Sequence, residues 1–429
     1  MTPRSLSLSS VLAAALALAG CSQSSTEEPE VPEAPGALVA SDKERITQPG
    51  VTAEDLTALA SANTDFGVAL YRQVAKPGEN LFFSPFSISQ GFSMVYPGAR
   101  GNTELQMQQA LRFTLPQDKL HPAMNALDLA LQRPIAPQPG QQGTPPELRV
   151  VNASWGQEGY TFEPAYLDTL AQHYGAGMRA VDFKNDPEAI RGQINDWVAA
   201  MTNERIKDLL PERTVKPDTR LMLVNALYFK GAWAFPFNPS GTRSESFHLL
   251  DGTTSQVNMM ERRMVVPYKR AADFQAFALP YVGNSIQMLL VMPDEGRFQD
   301  VEARLSASFL DTVHQGMQST DMYLNFPKFQ VETTIDLPPA MQALGMTDAF
   351  SERADLSGIT TSEQLFLGVA KHKAFLAVDE KGTEAAAATA IGAEPVSLPP
   401  TFTVDRPFLL LIEDTETKTV LFLGRVMKP

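Results

Sequence analysis

The chain predicts an α+β fold in one large domain, and three observations carry that prediction. Apolar residues at helical spacing concentrate in the first half, while short apolar strands bounded by turn residues concentrate in the second. No linker divides the sequence after about residue 50. A length of 429 residues would allow two or three domains, but an undivided stretch of about 380 is ample to bury one core. Hydrophobic content of 44 % and charged content of 20 % are those of an ordinary globular protein.

The elements follow in order. Residues 1–20 are expected to be a signal peptide: Arg4 gives the positive end, Leu12 to Leu18 the apolar stretch, and Leu18-Ala19-Gly20-Cys21 the small-residue cleavage site. Cys21 is the only cysteine, so it has no internal disulfide partner. A cysteine directly after such a site resembles the lipid-modified cysteine of bacterial lipoproteins; an ordinary secretory signal is the plainer reading. Residues 22–50, rich in Ser, Glu, Pro and Ala without apolar periodicity, predict a disordered tether behind the acylated cysteine. About 30 such residues span roughly 30 Å as a flexible coil. The globular domain is expected over 51–429, and no other run is long and apolar enough to span a bilayer.

A first helix is predicted from Ala53 to Val74, capped by Thr52, with Leu56, Leu59, Phe66 and Leu70 on its buried face. A second runs from about Thr103 to Leu111. Residues 133–147 form a Pro/Gly/Gln loop, disordered or inserted. Strands are expected over 149–155, 221–229 and Ile286 to Met292, the last stopped by Pro293. Phe408 to Ile412 and Thr419 to Leu423 make a C-terminal hairpin. There is no internal repeat.

Net charge is −14 and the pI about 4.9, which argues against nucleic-acid or polyanion partners. Enzyme chemistry is sparse. The histidines, His121, His173, His248, His314 and His372, have no metal-site spacing, and no cysteine is free to join them. Neither a Gly-x-Ser-x-Gly elbow nor a phosphate-binding glycine loop is present, although a dispersed Ser-His-Asp triad stays open. No metal or cofactor is expected.

The most informative stretch is Glu380 to Ala390, E-K-G-T-E-A-A-A-A-T-A, close to E-P-V-S-L-P-P over 394–400. Composition alone makes the alanine run a short helix. A segment this small and poor in charge also fits between strands of a sheet, and loop insertion into a sheet is a known switching mode. That segment resembles the hinge and reactive loop of an inhibitory serpin. The resemblance extends from about residue 60 to Pro429, in family order. Asn80 to Ile88 (N-L-F-F-S-P-F-S-I) is similar to the start of helix B, Gly98 to Thr103 to the turn entering helix D, and Ile194 to Val198 to helix F. Leu223 to Trp233 (L-V-N-A-L-Y-F-K-G-A-W) resembles the central strand and breach. Ala354 to Gly358 and His372 to Thr383 lead into the loop, and Asp405 to Phe408 and Leu421 to Val426 match the terminal strands.

The resemblance implies three β-sheets (A, B and C), eight to nine helices and an exposed reactive-centre loop, in a monomer. It casts Ser84, Ser87, Asn225 and His372 as the shutter, a polar network where sheet A opens, and Trp233 as the breach, where insertion begins. The hinge would be Glu380, Gly382, Thr383, Ala385, Ala386, Ala387 and Ala388. Sixteen residues on from Glu380, and three and four before Pro399 and Pro400, both rulers give Val396 as the specificity residue and Val396–Ser397 as the reactive bond. Ala393, Glu394, Pro395 and Leu398 would refine specificity.

The implied activity is not catalysis but suicide inhibition of a secreted serine protease, elastase-like or else subtilisin-like. The protease would attack the Val396 carbonyl, and insertion of about 15 residues at roughly 3.3 Å each would drag it some 50 Å. A non-inhibitory serpin acting as a binder or scaffold, or a cross-class inhibitor of cysteine proteases, are the other readings. Glycosaminoglycan activation is not expected, since E-L-Q-M-Q-Q-A-L-R, taken as helix D, has one basic residue. The expected location is the cell envelope, as an outer-membrane or cell-surface lipoprotein held through Cys21.

Overall fold

The computed structural model describes residues 33–383 and 399–429, within a compact unit that runs from Glu33 to Pro429. Strand β1 (Ala37–Val39) precedes helix α1 (Ala53–Val74), β2 (Leu81–Phe83), α2 (Pro85–Val95), α3 (Gly101–Ala110) and α4 (Gln117–Leu131). Next come β3 (Glu147–Gln157), α5 (Pro164–Tyr174), β4 (Met178–Val181), α6 (Pro187–Met201) and β5 (Leu221–Ala232). The second half is mainly strand: β6 (Arg243–His248), β7 (Thr254–Arg270), β8 (Phe274–Pro280), β9 (Ile286–Pro293), short helices α7 (Phe298–Ala303) and α8 (Ala307–Gln315), β10 (Gln318–Pro327) and β11 (Phe329–Asp336). Helix α9 (Leu337–Ala343), β12 (Leu367–Asp379), β13 (Gly382–Thr383), β14 (Thr401–Thr403), β15 (Phe408–Asp414) and β16 (Val420–Val426) complete the chain.

Helix α1 has its predicted bounds, and Thr52 caps it by accepting a hydrogen bond from the Asp55 amide at 3.1 Å. The strands predicted from apolar runs are present but longer, because ladder pairing carries them past the apolar stretch. The nine helices among the described residues match the expected number.

Four expectations need correction. Only two hydrogen-bonded sheets form among the described residues, of seven and nine strands. The cause is β7, whose 17 residues pair with β6 at one end and β8 at the other, joining what the family divides into sheets B and C. Gly98 to Thr103 enters α3, the third helix, so helix D in chain order is α4, which holds Lys119 as its one lysine or arginine. Residues 33–50 are not a tether: β1 adds an antiparallel edge strand to β4. The 133–147 loop is likewise pinned, by an Arg133–Asp414 ion pair at 2.6 Å and by Gln141, which accepts from the Gly283 amide at 2.7 Å.

The seven-stranded sheet has the order β1-β4-β3-β5-β13-β12-β11. Strand β5 is almost wholly buried because both faces of the sheet are covered. On one face α6 packs Ile194 and Val198 with Trp155, Met222 and Val224. On the other, α2 is buried along its whole length in the main core.

Candidate functional site

The site is a fork in the seven-stranded sheet. Strands β5 and β12 pair directly and in parallel from Leu221–Leu367 to Tyr228–Phe375. Beyond that point they diverge, and β13 occupies the gap, antiparallel to both: Thr383 lies opposite Val378 and Gly231, and Gly382 opposite Asp379 and Ala232. Two hinge residues already sit inside the sheet.

Each hinge residue is held by specific contacts. Gly382 has φ +148°, and a Cβ there would meet the Gly231 carbonyl oxygen at 2.1 Å, so only glycine fits. Thr383 is fully buried, its hydroxyl 2.9 Å from the Tyr281 hydroxyl. Trp233 stacks on Tyr281 at 4.6 Å and donates its indole N–H to the Asp379 carbonyl at 3.0 Å. Its amide donates to the Lys381 carbonyl at 2.9 Å. Trp233, expected as the breach residue, therefore grips the segment Asp379 to Lys381. Tyr281 was not legible as a partner, since nothing distinguishes it from a core aromatic.

Glu380 bonds outward. Its carboxylate accepts from Lys328 Nζ at 2.8 Å and Thr242 Oγ1 at 2.7 Å. Burial pushes the carboxyl up, but these bonds together outweigh burial and hold it below the usual glutamate value. Substituting Glu380→Lys would leave Lys328 facing a like charge. The expected loss is about 2 kcal/mol, discounted for the partly exposed lysine, read as a lower urea midpoint. Glu380→Gln should lose about half as much.

The four shutter residues come together beneath the closed part of the sheet. Ser84 caps α2, its hydroxyl accepting from the Ser87 amide at 3.0 Å. His372 Nε2 accepts the Ser84 amide N–H at 3.1 Å, so its proton sits on Nδ1, which donates to Asn225 Oδ1. Asn225 Nδ2 donates to the Ser87 carbonyl at 2.6 Å and hydroxyl at 2.5 Å, and to Asn152 Oδ1. His372 on β12 and Asn225 on β5 are thus joined across the seam between the two strands. Asn152 continues the network to Gln90, its Nδ2 donating to Oε1 at 2.9 Å. Sequence reading missed both residues, though a lone Asn within the apolar strand Val150 to Trp155 was a usable signal.

Burial lowers His372 to about 3. It does the same for His121, between α4 and α5, with His173 a further lowering influence. Below pH 6.5 the unfolded chain binds protons at these two histidines that the fold refuses. Stability is full above about 6.5 and falls as pH drops towards 3, by up to about 1.4 kcal/mol per pH unit per histidine. His314 is held above its usual value mainly by Glu413, so its contribution fades only as pH rises past 6.5. Urea midpoints should therefore fall between pH 6.5 and 5, and His121→Gln should flatten that slope.

Val396, Ser397, Ala385 to Ala388, Ala393, Glu394, Pro395, Leu398 and Cys21 lie outside the described residues. Among the described residues no cluster of acidic, histidine or cysteine side chains is arranged to hold a metal, and no helix is long and apolar enough to cross a membrane.

The site is thus a split between two parallel strands, with Gly382 and Thr383 in the split and a buried polar network below it. The family model described as Serpin (serine protease inhibitor) matches residues 61–429. A serpin-like protein of Thermococcus kodakarensis is 38 % identical over 86 % of each chain. A leukocyte elastase inhibitor of Sus scrofa is 34 % identical over 86 % of this chain and 99 % of its own. The structure of human thyroxine-binding globulin superposes with a TM-score of 0.78 at 33 % identity, covering 87 % of this chain and 99 % of that one. The chain belongs to the serpin family.

Proposed function

We propose that this chain is a conformational-trap inhibitor of serine proteases, cleaved at Val396–Ser397. The observation that carries the reading is the fork: Gly382 and Thr383 are buried between β5 and β12, aligned for the rest of the loop to follow. A protease serine attacks the Val396 carbonyl and forms an acyl-enzyme. Cleavage frees the loop, the alanine run enters behind Thr383, and the protease is dragged with it. Its catalytic geometry is lost before water releases it, since a displacement of about 1 Å already costs on the order of 100-fold in rate. Valine suits the small apolar pocket of an elastase-like enzyme, and the similarity to leukocyte elastase inhibitors supports that choice; subtilisin-like enzymes come next. The chain acts as a monomer at the cell envelope, held through a lipid at Cys21.

The test mixes protein lacking residues 1–21 with a valine-preferring elastase on a denaturing gel. A boiling-resistant band near the summed masses, with a released peptide starting at Ser397, is the expected result. Complete cleavage with full protease activity, and no gain in heat stability of the cleaved chain, would overturn it. The likeness to thyroxine-binding globulin favours a binding role as the second reading, and that outcome would select it.

A further inference from the structure

Residues 33–50 lie against the sheet edge and the helices beside it, and their contacts lead inward to the shutter. At the edge, β1 pairs with β4, and the Pro35 carbonyl accepts the Trp155 indole N–H at 3.0 Å. Gly36, at φ +92°, lets the strap approach closely: a Cβ there would meet the Ala180 carbonyl oxygen at 2.6 Å. The strap then crosses to α5 and α4. The Ile46 amide donates to the Gln172 carbonyl at 2.9 Å. Arg45 donates from Nε to Asn125 Oδ1 at 2.9 Å and from Nη2 to Asp128 Oδ2 at 2.5 Å.

Asp128 carries the contact further. Its second oxygen accepts from Gln90 Nε2 at 3.0 Å. Gln90 accepts from Asn152, Asn152 from Asn225, and Asn225 from His372. An unbroken chain of hydrogen bonds runs from Arg45 to the seam between β5 and β12. It follows the wall of a cavity of about 310 Å³ lined in part by Arg45, Gln90, Asp128 and Asn152.

We propose that residues 33–46 are a latch on sheet opening, with Arg45 the positioning residue that ties this strap to the shutter. When β5 leaves β12, the strands beyond it, β3, β4 and β1, belong to the departing half. Arg45 and Ile46 fasten that half to α4 and α5. Parting the seam strains the strap, and removing the strap's hold frees Gln90 and Asn152 to exchange partners with water. The readiness of the sheet to open is thus set from the N-terminal segment. The consequence for inhibition rests on the insertion mechanism above; the latch itself does not.

The test is hydrogen exchange on the uncleaved full chain without any protease, so failure of the trap reading leaves it interpretable. Arg45→Gln should speed exchange of the amides around Ser84–Gln90 and Leu221–Tyr228 by at least about tenfold. Helix α1 and the β15–β16 hairpin should be unchanged. Arg45→Lys, which keeps a charge for Asp128, should restore part of the protection. Lys43→Ala breaks only the more exposed Lys43–Asp168 pair of the strap, and its shutter amides should match the parent. Unchanged shutter amides in Arg45→Gln, or faster exchange spread evenly over the molecule, would overturn the latch.

Discussion

Replacing Thr383 by arginine is expected to turn an inhibitor into a substrate. Thr383 is fully buried between Val378 and Gly231, its hydroxyl bonded to that of Tyr281. A guanidinium there has no carboxylate partner among these contacts. An unpaired buried charge costs about 3 kcal/mol or more, enough to drive the hinge out of the fork it occupies before cleavage; the loop would then have to re-enter against that cost, over 100-fold in the rate of insertion. The loop should still be cut at Val396, so cleavage survives while the boiling-resistant complex disappears. The cleaved variant should also lack the gain in heat stability that insertion gives. Undiminished complex formation by Thr383→Arg would refute the insertion mechanism.

The second large effect is expected at Asn225. Its side chain bonds His372, Ser87 and Asn152 at once, and it is fully buried. Asn225→Ala leaves those groups to find new partners, at about 1–3 kcal/mol for each that fails. The total is on the order of 4 kcal/mol, a large share of ordinary folding stability. The urea midpoint should fall accordingly. The seam should also open spontaneously, seen as loop cleavage lost on incubation at 37 °C and as oligomers on a native gel. A double-mutant cycle with His372→Ala should give a coupling of about 1–2 kcal/mol. Additive effects would mean that the two residues act separately.

What sequence made legible was local pattern and family order. The α1 boundaries follow from the hydroxyl cap at Thr52 and helical spacing, both local signals. The four shutter residues were named from the family resemblance and do converge. Three things escaped. Strand β1 is three residues long and owes its existence to the free edge of β4, which no composition reports. The joining of two sheets through β7 depends on which partners meet each end of one strand. The Lys328–Glu380 and Tyr281–Thr383 contacts link residues 52 and 102 positions apart, a separation at which neither periodicity nor spacing carries information.

Strands β5 and β12 run parallel, whereas β13 is antiparallel to both. On the proposed mechanism each further loop residue would replace one parallel rung with two antiparallel ones, and evenly spaced slanted bonds would give way to the better-aligned pattern. The gain in pairing would offset the bonds of the His372–Asn225 network that have to break as the seam parts. On the proposed mechanism each copy works once and is consumed with its target. Protection of the envelope would be a matter of dose: the number of intact copies standing ready, matched one for one to the proteases that arrive, and renewed only by synthesis.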